Sequence, residues 1–117
     1  MKRVFFALAA AIALSLGSAQ AHTSLESSMP ASGSILTQSP DQIVLTFHEA
    51  ARLTSVAVAL PDGERRLQFT PSGSATTFTA VSPNLPVGRN EVRWRALSAD
   101  GHVVDGAIII VVRPAVH

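Results

Sequence analysis

Three residues of this 117-residue chain could together hold a metal ion: His22, Asp100 and His102. His22 stands out because of what precedes it. Met1-Lys2-Arg3 is followed by an apolar run from Val4 to Leu16 and by Gly17-Ser18-Ala19-Gln20-Ala21. A basic start, an apolar stretch too short to span a bilayer, and small residues at Ala19 and Ala21 describe a secretory signal peptide over residues 1–21. Cleavage after Ala21 would make His22 the first mature residue. Its α-amine and its imidazole could then close a chelate ring on one metal ion, as no internal histidine can. The second cluster is Ser98-Ala99-Asp100-Gly101-His102. On a tight turn, the carboxylate and the imidazole can point to one spot beyond the end of a sheet. Three nitrogens and one oxygen suit Cu(II), which prefers tetragonal N and O ligands. Each part also has an ordinary reading: Asp-Gly is a common hairpin turn, and a terminal histidine can be a frayed end.

Composition narrows the setting. Residues 22–117 hold seven arginines, no lysine and eight acids, a net charge of about −1 with neutral histidines. There is no basic stripe, so nucleic acid is not an expected partner. The mature chain has no stretch apolar enough for a transmembrane helix. Export is therefore expected to end in the periplasm. The chain has no cysteine, which excludes thiolate zinc sites, iron–sulfur clusters and cysteine nucleophiles. Its length suits one small domain with a single core, and a monomer is expected.

The elements that must position these residues are strands. Ile43, Leu45 and Phe47 alternate with Val44, Thr46 and His48, and Val56, Val58 and Leu60 alternate with smaller residues. Pro61-Asp62-Gly63 makes a turn. Short strands are expected at 66–69 and 76–80. Asn90, Val92, Trp94 and Ala96 face one way, and Glu91, Arg93 and Arg95 the other, a period of two with an apolar inside. Ala107 to Val112 reads as a buried β-branched strand. With a strand near Leu25, about seven strands result, and residues 29–41 read as an ordered surface loop. The expected fold is all-β, a small antiparallel β-sandwich or barrel of immunoglobulin-like (cupredoxin-like) type. Trp94 belongs to its core, His48 faces away from it, and His117 ends the chain. Ser98 is a candidate hydrogen-bond donor beside the cluster.

Several segments resemble one known family. His22-Thr23-Ser24-Leu25, Ser28-Met29-Pro30-Ala31-Ser32-Gly33 and Leu45-Thr46-Phe47-His48-Glu49 look like the opening of the CopC family of periplasmic copper-resistance proteins. Trp94 through His102, followed by Gly106, resembles that family's second hallmark. The resemblance covers residues 22–117 and implies one Cu(II) per chain, bound with high affinity by His22, Asp100 and His102. It places Glu49 near the copper, although Glu49 also reads as a solvated acid at a strand end. It implies copper sequestration for resistance and homeostasis, and delivery to a CopD-like inner-membrane transporter, without enzymatic turnover. Two departures stand out. Met29 is the one methionine in 22–117, so a thioether Cu(I) site cannot be assembled within one chain. Val103 stands where the family often has proline.

The rival reading is a copper-dependent redox enzyme with an N-terminal histidine site, of the kind that oxidises polysaccharides. It fits less well, because the chain has no tyrosine and one tryptophan, which patterns as buried. A metal-free adhesion or assembly sandwich is the third reading.

Overall fold

The computed structural model describes residues 24–115. The segment read as a signal peptide, His22 and His117 lie outside the described residues. Eight strands follow in order: β1 (Leu25–Met29), β2 (Ser34–Leu36), β3 (Gln42–Leu60), β4 (Gly63–Arg66), β5 (Phe69–Thr70), β6 (Ser74–Val81), β7 (Gly88–Ser98) and β8 (Val103–Val112). The strand path is β2-β8-β7-β3-β6-β5, with β1 and β4 also paired to β3.

The alternation read in β7 sets its two faces. Asn90, Val92, Trp94, Ala96 and Ser98 are buried, while Arg93, Arg95 and Leu97 are exposed. Their inward neighbours on β8 are Ile108, Ile110 and Val112, on β6 Phe78 and Ala80, and on β3 Ile43, Leu45, Phe47, Val56 and Val58. All of these belong to one core, so the sheet curls over itself into a sandwich. Phe47 sits in the middle, edge-on to Phe78 at 5.9 Å and to Trp94 at 5.1 Å. Burying a side chain of this size contributes about 1.5–3 kcal/mol. Trp94 lies flat enough on β8 that a Cβ at Gly106 would stand 2.7 Å from its Cζ2.

Three features differ from the expected pattern. The runs around Phe47 and Val58 are one 19-residue strand, because no glycine or proline between them reverses the chain. Alternation fails at Glu49, exposed where the phase of Ile43, Leu45 and Phe47 calls for an inward residue; there the pairing with β6 shifts register between Thr46 and Ala51. Second, the segment 29–41 contains β2, which pairs in parallel with β8, Ser34 opposite Ile110. The sheet is therefore mixed rather than purely antiparallel. The Gly33 N–H donates to the Ile109 carbonyl at 2.7 Å, and the Ile109 N–H donates to Ser32 Oγ at 3.0 Å. These bonds satisfy the backbone of β8 that would otherwise form a bare edge. Third, the stretch after the Pro61 turn gives two short strands, β4 and β5, and the eight strands among the described residues agree with the expected number of about seven.

Candidate metal centre

β3 acts as a ruler for the candidate site. β6 pairs with both of its halves, from Gln42 to Arg52. β1 and β7 share the side opposite β6, opposite Thr46 and opposite Ala51 respectively. Both run antiparallel to β3, so the start of β1 and the end of β7 approach each other head-on. The Ser24 carbonyl accepts the His48 N–H at 3.1 Å, and Ser98 pairs with Ala51. Ala51 lies three positions beyond His48 on β3, about 10 Å along an extended strand. Glu49 lies in that interval, exposed.

The hairpin joining β7 to β8 closes tightly. Beyond the Leu97–Val103 pair, the Ser98 N–H donates to the His102 carbonyl at 2.8 Å, and the Gly101 N–H donates to the Ser98 carbonyl at 2.9 Å. Gly101 has φ +92°, a left-handed conformation that glycine adopts without steric cost. Ser98 is only 5% exposed, and its hydroxyl donates to Oδ1 of Asp100. The His102 N–H lies 3.3 Å from both Ser98 Oγ and Asp100 Oδ1. Oδ2 of Asp100 stands 3.1 Å from Nδ1 of His102.

These contacts make Asp100 a firmly ionised carboxylate. Its pKa is pushed down to about 2, first by the Ser98 hydroxyl, then by the His102 side chain and backbone N–H. A carboxylate only accepts hydrogen bonds, so the contact with Nδ1 places the proton of neutral His102 there and its lone pair on Nε2. Both side chains remain more than half exposed. The hairpin thus presents an anionic oxygen and an imidazole to solvent, a pairing chemically suited to a borderline cation.

Of the sequence-derived residues, Asp100 and His102 come together, but they face each other rather than converging on an outside point. Glu49 falls at the same end of the sheet without completing a cluster. No group of three His, Cys, Asp or Glu side chains close enough to hold a metal occurs among the described residues. His48 is exposed, as its phase required. The contribution of Ser98 was legible only as a candidate. Its phase, two residues beyond Ala96 on the inward face, is the signal that its hydroxyl would be buried beneath the turn. A separate hollow of about 430 Å³, lined among others by Ser55, Ala57, Arg66, Arg93 and Arg95, lies on the outer face of the sheet and does not include the hairpin.

The fold and the hairpin define a small β-sandwich with an Asp-x-His pair at one end. The CopC domain family model matches residues 25–113, most of the chain, and the chain belongs to the CopC family. No curated protein matches it. Among solved structures, CopC from Methylosinus trichosporium OB3b superposes with a TM-score of 0.67 at 24% identity, over 82% of this chain and 98% of that one. PcoC, a methionine-rich copper resistance protein from Escherichia coli, superposes with a TM-score of 0.58 at 26% identity, over 80% of this chain and all of that one.

Proposed function

We propose that this chain is an exported copper-binding protein of copper resistance. It takes one Cu(II) at the end of the sandwich that carries Asp100 and His102, and uses the amine and imidazole of a mature N-terminal His22 as further ligands. The observation that carries this reading is the Asp100–His102 pair, 3.1 Å apart on the hairpin of a CopC-family domain. The head-on approach of β1 and β7 supports the part given to His22. The described chain begins at Ser24, at the end of the sheet that carries the hairpin, and two residues of extended chain span at most about 7 Å. Glu49 is the carboxylate nearest in register to this meeting point and is assigned an auxiliary place beside the ion.

The donor chemistry supports Cu(II) rather than Cu(I). The chain has no cysteine and two methionines; among the described residues Met29 is 68% exposed, and nothing gathers soft ligands around it. Imidazole, amine and carboxylate are the ligands Cu(II) prefers. On this reading the protein is a periplasmic carrier without turnover that passes its ion to a CopD-like inner-membrane partner.

The decisive experiment moves the amine and leaves every side chain in place. Mature protein beginning at His22 is compared with a form carrying one extra N-terminal residue, by competition titration and mass spectrometry. The native form is expected to bind one Cu(II), and the extended form to bind it much more weakly, because the amine no longer closes a chelate ring with the imidazole of His22. Equal affinities would remove the amine from the site and overturn the reading.

A further inference from the structure

The assignment of copper to this end leaves unexplained why a serine is buried directly beneath the hairpin. Ser98 continues the inward row of Val92, Trp94 and Ala96, positions otherwise filled by apolar groups. An alanine there would complete that row. Instead the position carries a hydroxyl, and the hydroxyl is aimed at the turn, donating to Oδ1 of Asp100. The same oxygen lies 3.3 Å from the His102 N–H.

We propose that Ser98 is a positioning residue of the copper site: by holding Oδ1 of Asp100, it fixes the carboxylate plane and leaves Oδ2 turned toward His102. The inference rests on the copper reading above and extends it to a residue that does not touch the ion.

The physical case has three parts. The last torsion of an aspartate is broad and roughly two-fold, so an exposed carboxylate without a tether samples many planes. Asp100 is 56% exposed, and its other contacts, the His102 N–H to Oδ1 and Nδ1 to Oδ2, come from the same exposed turn. Ser98, in contrast, is held by the sheet: its amide donates to the His102 carbonyl and its own carbonyl accepts from Gly101. A rigid donor on a strand end thereby transfers the order of the sheet to a side chain beyond it. Groups that orient a metal ligand in this way are typically worth about 10- to 100-fold in metal affinity.

The test is a double-mutant cycle on the full mature protein, reading Cu(II) affinity by competition and the Cu(II) electron paramagnetic resonance spectrum. Ser98→Ala adds no volume to the core, and the circular dichroism of the apo form checks the fold. Ser98→Ala is expected to weaken binding about 10- to 100-fold and to shift the spectrum. Asp100→Ala should weaken binding by at least as much. In the Asp100→Ala background, Ser98→Ala should add no further loss, because the oxygen it orients is gone. Wild-type affinity and spectrum in Ser98→Ala would overturn the proposal while leaving the copper assignment standing, as would full additivity of the two losses. An Asp100→Ala protein that binds as tightly as wild type would instead strike the ligand set itself.

Discussion

The body and the tip of the β7–β8 ladder are built from the same two strands and obey different physics. In the body, Val92, Trp94 and Ala96 are buried, and the outward charges neutralise one another. Arg93 reaches Glu64 at 3.2 Å and Glu91 at 3.4 Å, all three in contact with solvent. At the tip, five residues past Arg93, the polar groups are ordered by hydrogen bonds from a buried base, Ser98. Both regions show exposed charged side chains at close range, so neither charge nor exposure marks a site. The two carboxylates around Arg93 are already matched by its guanidinium, whose pKa they push further up. The carboxylate at the tip faces an imidazole, whose ring nitrogens can ligate a metal ion, as a guanidinium cannot.

The largest expected effect sharpens this contrast through pH. Metal ligands must shed their protons before binding. For donors with ordinary values, about 6.5 for an imidazole and about 7.8 for an α-amine, going from pH 7 to pH 5 lowers the deprotonated fraction roughly 25-fold and roughly 90-fold. Two imidazoles and one amine together predict a fall in Cu(II) affinity on the order of 10⁴ to 10⁵. Asp100 adds nothing over this interval, because its pKa lies at about 2. Competition titrations at the two pH values measure the fall. A loss below about 100-fold would mean that no more than one of these nitrogens holds the ion.

The body of the ladder was far more legible in the sequence than the tip. The alternation in 90–96 and the apolar run in 107–112 fixed which faces turn inward, because a period of two is a local property. Partners are not local. The segment 29–41 has no alternation, and β2 exists because the backbone of β8 needed partners, a demand expressed some 75 residues away at Ile109. The length of β3 escaped notice for the converse reason. His48-Glu49-Ala50 interrupts the pattern as a loop would, yet carries no residue that turns the chain. At the tip, Asp-Gly-His spacing announced two donors on one turn. It could not announce that Asp100 Oδ2 and His102 Nδ1 meet at 3.1 Å, since that depends on the hydroxyl of Ser98 taking the other oxygen.

A substitution in the body should separate stability from binding. Gly106 faces Trp94 across the ladder, and an added methyl would stand 2.7 Å from Cζ2 and 2.9 Å from Cε2 of the indole. The ring is buried against Phe47 at 5.1 Å and has little room to retreat. Overpacking of this kind costs about 1–3 kcal/mol. Gly106→Ala is therefore expected to lower the urea midpoint of the apo protein while its Cu(II) affinity stays at the wild-type level. An equal fall in affinity would show that body and tip are coupled and that the division drawn above is wrong.

The smallest expected effect isolates the hydrogen bonds at the tip in the absence of metal. The pKa of Asp100 is lowered from 3.8 to about 2, so folding favours its ionised form. A folded pKa below the unfolded one contributes stability that is present above the unfolded value and is lost as pH falls through the folded value. The wild type should thus exceed Asp100→Asn in stability at pH 5, and the margin should shrink between about pH 4 and pH 2. The margin is modest, because Asp100 is more than half exposed and solvent and salt screen its contacts. Arg93→Gln supplies the contrast from the body. The guanidinium stays charged throughout, so its difference from wild type should be flat from pH 9 to pH 5. Urea unfolding of the three apo proteins across pH measures both slopes. If Asp100→Asn tracks the wild type at every pH, the Ser98 and His102 contacts to the carboxylate do not persist in solution, and the tip is no more ordered than the charged face beside it.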